Sequence, residues 1–196
     1  SSAASDVYKS QSLYYNAKSG NCYSGVNNAT TTCNFTSAGI KNAETRNLIS
    51  DTTYYLGGWN SSSVYPNQIY EYERGTTVYS GRPTTWTGKI ALPYPSDYGY
   101  AVDLSKCSQN LYNYNNSTCT SNNWMKTIIA PNNGWLLTTR SGGASFAWRV
   151  ASSSYVDGNS NIVYLAYGVA PVLSLNSELA VKAGTGSSSA PYQLSA

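Results

Sequence analysis

The chain contains no histidine, one methionine and two phenylalanines, and only 11% of its 196 residues are charged. The missing histidine excludes Ser–His–Asp and Cys–His catalysis by this chain's own residues. It also removes the commonest companion of cysteine in zinc sites. No Lys/Arg run is present, and the net charge of +3 comes from 12 basic and 9 acidic residues. Tracking a phosphate backbone takes a basic stripe, so no nucleic-acid partner is expected. No stretch is apolar over the roughly 20 residues that cross a bilayer. No secretory signal is found at the start either, which reads "SSAASD". An export segment or membrane anchor is therefore expected upstream, and membrane contact is expected only through such a segment.

What is abundant is tyrosine, with 19 Tyr beside 5 Trp. Tyrosine buries a ring and keeps a hydroxyl for water or ligand. It also suits strands, together with the many Thr residues. Tyr, Ser and Asn make up adaptable binding surfaces as well. The four cysteines fall into two close pairs, Cys22/Cys33 and Cys107/Cys119. Zinc sites use shorter Cys-x-x-Cys spacing, so two local disulfides are expected, and with them an oxidising, extracellular setting. Sequons occur at Asn28, Asn34, Asn60, Asn115 and Asn116. In a chain this rich in Asn, Ser and Thr they carry little weight.

Along the chain, Val7, Gln11 and Tyr14 or Tyr15 stand at helical spacing before Gly20, which predicts a short N-terminal helix. "TSAGIKNAETRNLIS" predicts a second helix, with Ile40, Ala43, Asn47 and Leu48 on one face. "TTYYLGGW" reads as a strand and "YPNQ" as a turn followed by one helical turn. Two prolines, Pro93 and Pro95, end a β-like stretch that begins at Thr76. Ser96 then caps a helix expected to run to about Leu104. "WMKTIIAP" and "GWLLTTR" read as short strands. "SFAWRVAS" alternates, which points Phe146, Trp148 and Val150 inward and Ala147 and Arg149 outward. Asp157-Gly158 reads as a hairpin turn. "IVYLAYGVAPVLSL" reads as a central strand pair, and the tail as two short strands around a Gly/Ser turn. Helices followed by many short antiparallel strands define an α+β class.

Few residues carry candidate chemistry. Glu71 and Glu73 could form the carboxylate pair of a glycoside hydrolase, but a solvated surface pair with Arg74 is the favoured reading. Asp97 could be an acid held on a rigid helix. A lone carboxylate beside a helix N-terminus is more simply a helix-stabilising residue. Asp157, Asn159 and Asn161 alternate like the first ligands of a calcium loop, but the later Gly and Glu of such a loop are missing. The turn reading is preferred, and no metal or cofactor is expected. The five tryptophans read as core, with any exposed one worth noting.

"IALPYPSDYGYA" resembles the Leu-Pro-x-x-x-Asp/Glu-aromatic-x-aromatic-Ala segment of formylglycine-generating-enzyme-like domains, which share the C-type-lectin-like fold. "GWLLTT", "FAWRV" and "YGVAPVLSL" resemble the strands that follow in such domains. The resemblance covers about residues 76 to 176. "SLYYNAKSGNCYS" is similar to the end of the long first helix of type IV pilins. The resemblance implies an N-terminal helix and disulfide loop over 1–35 and a C-type-lectin-like domain over 36–196. It does not carry the enzyme activity, because no cysteine follows Cys119 to hold copper. The Glu-Pro-Asn, Gln-Pro-Asp and Trp-Asn-Asp motifs of calcium-dependent sugar lectins are absent too.

These resemblances imply a non-catalytic adhesion or ligand-binding domain of a bacterial surface or pilus. Its partner would be a glycan or a protein. The alternatives are a filament subunit packing against its own copies and, third, a carbohydrate-active enzyme. In C-type-lectin-like domains the late strands and their loops form the binding surface, which maps to residues 140–167. Arg149, Tyr155, Asp157 and Asn159 are the expected contacts. The other reading of this segment is an ordinary hydrophilic hairpin.

Overall fold

A computed structural model describes residues 42–129, 132–159, 163, 165–187 and 189–195, and the backbone of three short strands near the N-terminus. The fold is mixed, with few, short helices and small sheets that are largely antiparallel. In chain order the elements are β1 (Ser12–Tyr14), β2 (Ala17–Lys18), β3 (Asn21–Cys22), α1 (Ala43–Asn47), β4 (Thr52–Tyr55) and α2 (Pro66–Glu73). Next come β5 (Thr85–Gly88), β6 (Ile90–Ala91), α3 (Pro95–Tyr100), a 3-10 turn (Leu111–Asn113), α4 (Ser117–Thr120) and α5 (Lys126–Ile129). The last are β7 (Gly134–Thr139), β8 (Ala147–Val150), β9 (Val156–Asp157), β10 (Ala166–Gly168), β11 (Val172–Leu173), β12 (Ala180–Ala183) and β13 (Gln193–Ser195). The main sheet has the order β1-β10-β7-β8-β9, with β10 parallel to β7 and the other neighbours antiparallel.

The N-terminal helix expected before Gly20 is not what forms at its described positions. Ser12–Tyr14 is a strand that pairs antiparallel with Ala166–Gly168, and Ala17–Lys18 pairs with Asn21–Cys22. Cross-strand pairing overrides a sparse helical periodicity there. The expected Cys22–Cys33 disulfide lies outside the described residues. Cys107–Cys119 is a disulfide, with both cysteines buried.

The strand β7 is buried along its whole length and divides two cores. Its side chains alternate across the sheet. Trp135 and Leu137 pack with Tyr54, Ile90, Leu92 and Tyr94. Leu136 faces the other way, with Ile69, Tyr98, Leu111, Met125 and Trp148. The adjoining β8 is likewise covered on both sides. Trp148 and Val150 join the second core, whereas Ala147, expected outside, joins the first. Phe146, expected inside, is only half-buried.

Two helices close the second core, and both start by the same device. Tyr65 and Tyr94 are extended N-cap residues, each followed by a proline at the first helical position. Gln68 Oε1 accepts from the Tyr65 N–H at 3.0 Å, and Asp97 Oδ2 accepts from the Tyr94 N–H at 2.8 Å. The "YPNQ" segment therefore opens the eight-residue helix α2, not a turn with one helical turn. Its buried residues Pro66, Ile69 and Glu73 share one face. In α3 the N-cap is Tyr94 and not Ser96, and the helix ends at Tyr100. A Cβ on Gly99 would sit 2.9 Å from Pro66, so the two helices approach as closely as they do only because position 99 has no side chain.

Other readings also change. "WMKTIIAP" contains the helical turn α5 and not a strand. The presumed strand pair of "IVYLAYGVAPVLSL" divides between sheets, since β10 joins β1 and β7 while β11 pairs with β6. The two-stranded tail is as expected, with β12 against β13.

Candidate functional site

The β8–β9 connection is a tight turn over 151–155, closed by Ala151 N–H donating to Tyr155 O at 2.8 Å. Ser154 adopts φ 80°, the left-handed region. Strand pairing sets Arg149 opposite Trp135 on β7 and opposite Asp157 on β9. The parallel strand β10 then brings Tyr167 onto Trp135, with ring centroids 4.5 Å apart. A further element arrives from the disulfide loop, where Leu111 N–H donates to Val64 O at 2.9 Å. That places Tyr112 against Tyr155, ring centroids 5.4 Å apart.

The result is an arginine framed by tyrosines. Arg149 Nη1 donates to the Tyr167 hydroxyl and Nη2 to the Tyr155 hydroxyl, each at 3.3 Å. The guanidinium carbon lies 5.1 Å from the Tyr167 ring centre and 6.0 Å from that of Tyr155, within cation–π range. Burial pushes the Tyr167 hydroxyl above its ordinary pKa, Arg149 opposes this, and Tyr155 and Asp157 add to it. Arg149, Tyr155 and Tyr167 are half-buried, and Tyr112 is 49% exposed. The cluster offers ring faces, hydroxyls and a cation at the surface.

Of the four expected contacts, the fold gathers Arg149 and Tyr155. Asn159 is exposed, but its N–H donates to Asp157 Oδ1 at 2.8 Å and its carbonyl accepts from Arg140 at 3.3 Å. Asp157 is not an exposed contact: it is 6% exposed and accepts from Ser62 Oγ at 3.0 Å. Nor is Asp157-Gly158 the tip of the hairpin. A Cβ at Gly158 would fall 2.5 Å from the Trp148 indole, so this glycine makes room for a core side chain. Tyr112 and Tyr167 are not among the contacts the sequence leads one to expect. Tyr167 fell inside the mapped segment 140–167, but nothing local marks Tyr112, which reaches the site through the disulfide loop.

The glutamate pair takes a different form from the one expected. Glu71 is exposed, while Glu73 is 0% exposed on α2. Glu73 accepts from the Ser96 N–H at 2.9 Å and from the Ser96 hydroxyl, and pairs with Arg74 at 3.2 Å. Burial pushes its carboxyl up to about 8, against the opposing hydrogen bonds from Ser96 and the Arg74 charge. Arg74 in turn covers the Tyr70 ring at 3.5 Å. The carboxyl ties α2 to the start of α3 and is closed off from solvent. Trp124 is the exposed tryptophan among the five, at 65%. Among the described residues no three His, Cys, Asp or Glu side chains converge as a metal site would require.

Comparison of the chain with protein-family models, with curated proteins and with solved structures finds no match.

Proposed function

We propose that the chain is a non-catalytic, extracellular ligand-binding domain of C-type-lectin-like architecture, serving adhesion at a bacterial surface or pilus. Its ligand is a glycan. The observation that carries this reading is Arg149 held between Tyr155 and Tyr167, with Tyr112 extending the ring surface outward. A pyranose ring can lie on a tyrosine face while its hydroxyls meet the phenols and the guanidinium. The location on late strands and their loops agrees with the resemblance. The Cys107–Cys119 disulfide supports an oxidising compartment. A non-catalytic role is supported by Glu73, whose carboxyl is committed to Ser96 and Arg74.

A glycan array probed with the purified domain tests the proposal. Binding should appear and should fall at least tenfold in the Tyr112→Ala/Tyr155→Ala double variant, with little change in Tm for the exposed Tyr112 replaced alone. Absence of binding to every glycan would overturn it. One observation favours the filament-subunit reading instead: every residue of β12 is exposed, and Val181 and Tyr192 stand out on that hairpin. Concentration-dependent assembly that a Val181→Lys variant abolishes would support that reading.

A further inference from the structure

We infer that the Arg149 site selects acidic sugars by their carboxylates; this rests on the glycan-binding reading and gives it a ligand class. The guanidinium is a planar fork of five N–H donors that matches a carboxylate through two parallel bonds. Among the described residues it meets only neutral hydroxyls, at the long distance of 3.3 Å, and Arg149 Nε is buried there without an acceptor. The ion pairs among the described residues are Arg74–Glu73, Lys89–Asp51 and Lys106–Asp103, so the Arg149 charge has no carboxylate partner there. Asp157 stands opposite on β9, but it is buried and accepts from Ser62 and Asn159.

The hydroxyls sharpen the preference. Each tyrosine oxygen accepts from Arg149, which leaves its own O–H to donate elsewhere. Donors from Arg149, Tyr155 and Tyr167 therefore converge, and an ionised carboxylate is a group that only accepts. Rings on both sides displace water from the cation, which strengthens an ion pair formed there. Tyr112 and Tyr155 supply an adjoining apolar surface for the sugar ring that carries the carboxylate.

The test is calorimetric titration of the whole chain with oligomers of galacturonic, mannuronic and sialic acid. Each is compared with the same oligomer whose carboxylates are reduced to alcohols, and with a sulfated neutral oligomer and polyglutamate. At least one acidic oligomer should bind about tenfold or more tightly than its reduced form, the range expected for a charged hydrogen-bonded contact. That advantage should disappear in Arg149→Gln, return in part in Arg149→Lys, and shrink with added salt. Tyr112→Ala should weaken the acidic and reduced forms alike. Equal binding of acidic and reduced forms by the unaltered chain overturns the carboxylate assignment while leaving the glycan reading intact. So does an advantage that Arg149→Gln, shown by its Tm to be folded, does not lose. Preference for the sulfated oligomer or for polyglutamate overturns it as well. Binding of nothing in the set, together with a blank glycan array, overturns both.

Discussion

At the residue scale, Glu73 is the side chain whose environment departs furthest from what its neighbours in sequence suggest. "EYERG" reads as a solvated charged turn, yet the helical phase set by Pro66 and Ile69 carries Glu73 into the core. Its carboxyl, pushed from 4.5 to about 8, binds its proton more tightly in the folded chain than in the unfolded one. Where the folded state holds more protons, stability falls as pH rises. The contribution is fully present below about pH 4.5 and is lost progressively up to about pH 8. Thermal unfolding across this window should therefore show Tm declining more steeply for the unaltered chain than for Glu73→Gln, which keeps the shape and a hydrogen-bonding amide. Parallel profiles would show that Glu73 is ionised throughout. The residues around it were legible only in part: the carboxylate and Arg74 could be named from sequence, but the partner Ser96 lies 23 positions away on another helix.

At the scale of elements, the two helix starts were legible in principle. "YPNQ" and "YPSD" share an aromatic residue, a proline and a side chain two positions beyond the proline that can reach back to the N-cap. The second predicts a helix start, whereas the first predicts a turn followed by one helical turn. The Cys107–Cys119 pair was legible from spacing alone, since it closes a short local loop. That loop also presents Tyr112, which links the disulfide to the site. Cutting the bond in a Cys107→Ser/Cys119→Ser variant should cost about 3 kcal/mol in the loop-entropy account. It should also weaken glycan binding beyond what the stability loss explains. Denaturant unfolding and the glycan array, measured below the variant's Tm, check both parts. Unchanged stability would mean that the loop is held by its buried Leu111 and Tyr114 alone.

At the scale of the whole molecule, burial is uneven. β7 is buried throughout and sits between two cores, while the hairpin β12–β13 has no buried residue among those described. Amide exchange follows such differences, because local opening is easiest where few apolar contacts must break. The Leu137 amide, which donates to Pro93 O at 2.8 Å within the core, should exchange slowest, and the amides of the β12–β13 hairpin orders of magnitude faster. Exchange by mass spectrometry at peptide resolution would show it. Equal protection in the hairpin would mean that it is covered in solution by another surface.

The sequence by itself determined the mixed class, the local disulfide at Cys107 and Cys119, the strand "GWLLTT", the paired strands of the tail and a helix beside Pro95, though neither its cap nor its end. Each is encoded over a short stretch, by spacing, proline placement or alternation, and a local code needs no knowledge of what packs against it. Tertiary structure decided the rest. Alternation in "SFAWRVAS" implied one dry and one wet face, but a strand beside β7 is covered on both, so Ala147 is as buried as Trp148. Asp157-Gly158 has the dipeptide of a turn, but the Trp148 indole needs the space a side chain would fill. Ser12–Tyr14 is a strand because Ala166–Gly168 offers it a ladder. The site itself joins Tyr112, Arg149, Tyr155 and Tyr167 through a disulfide loop, a hairpin and a parallel strand, and no pattern within any one of those segments states that they meet.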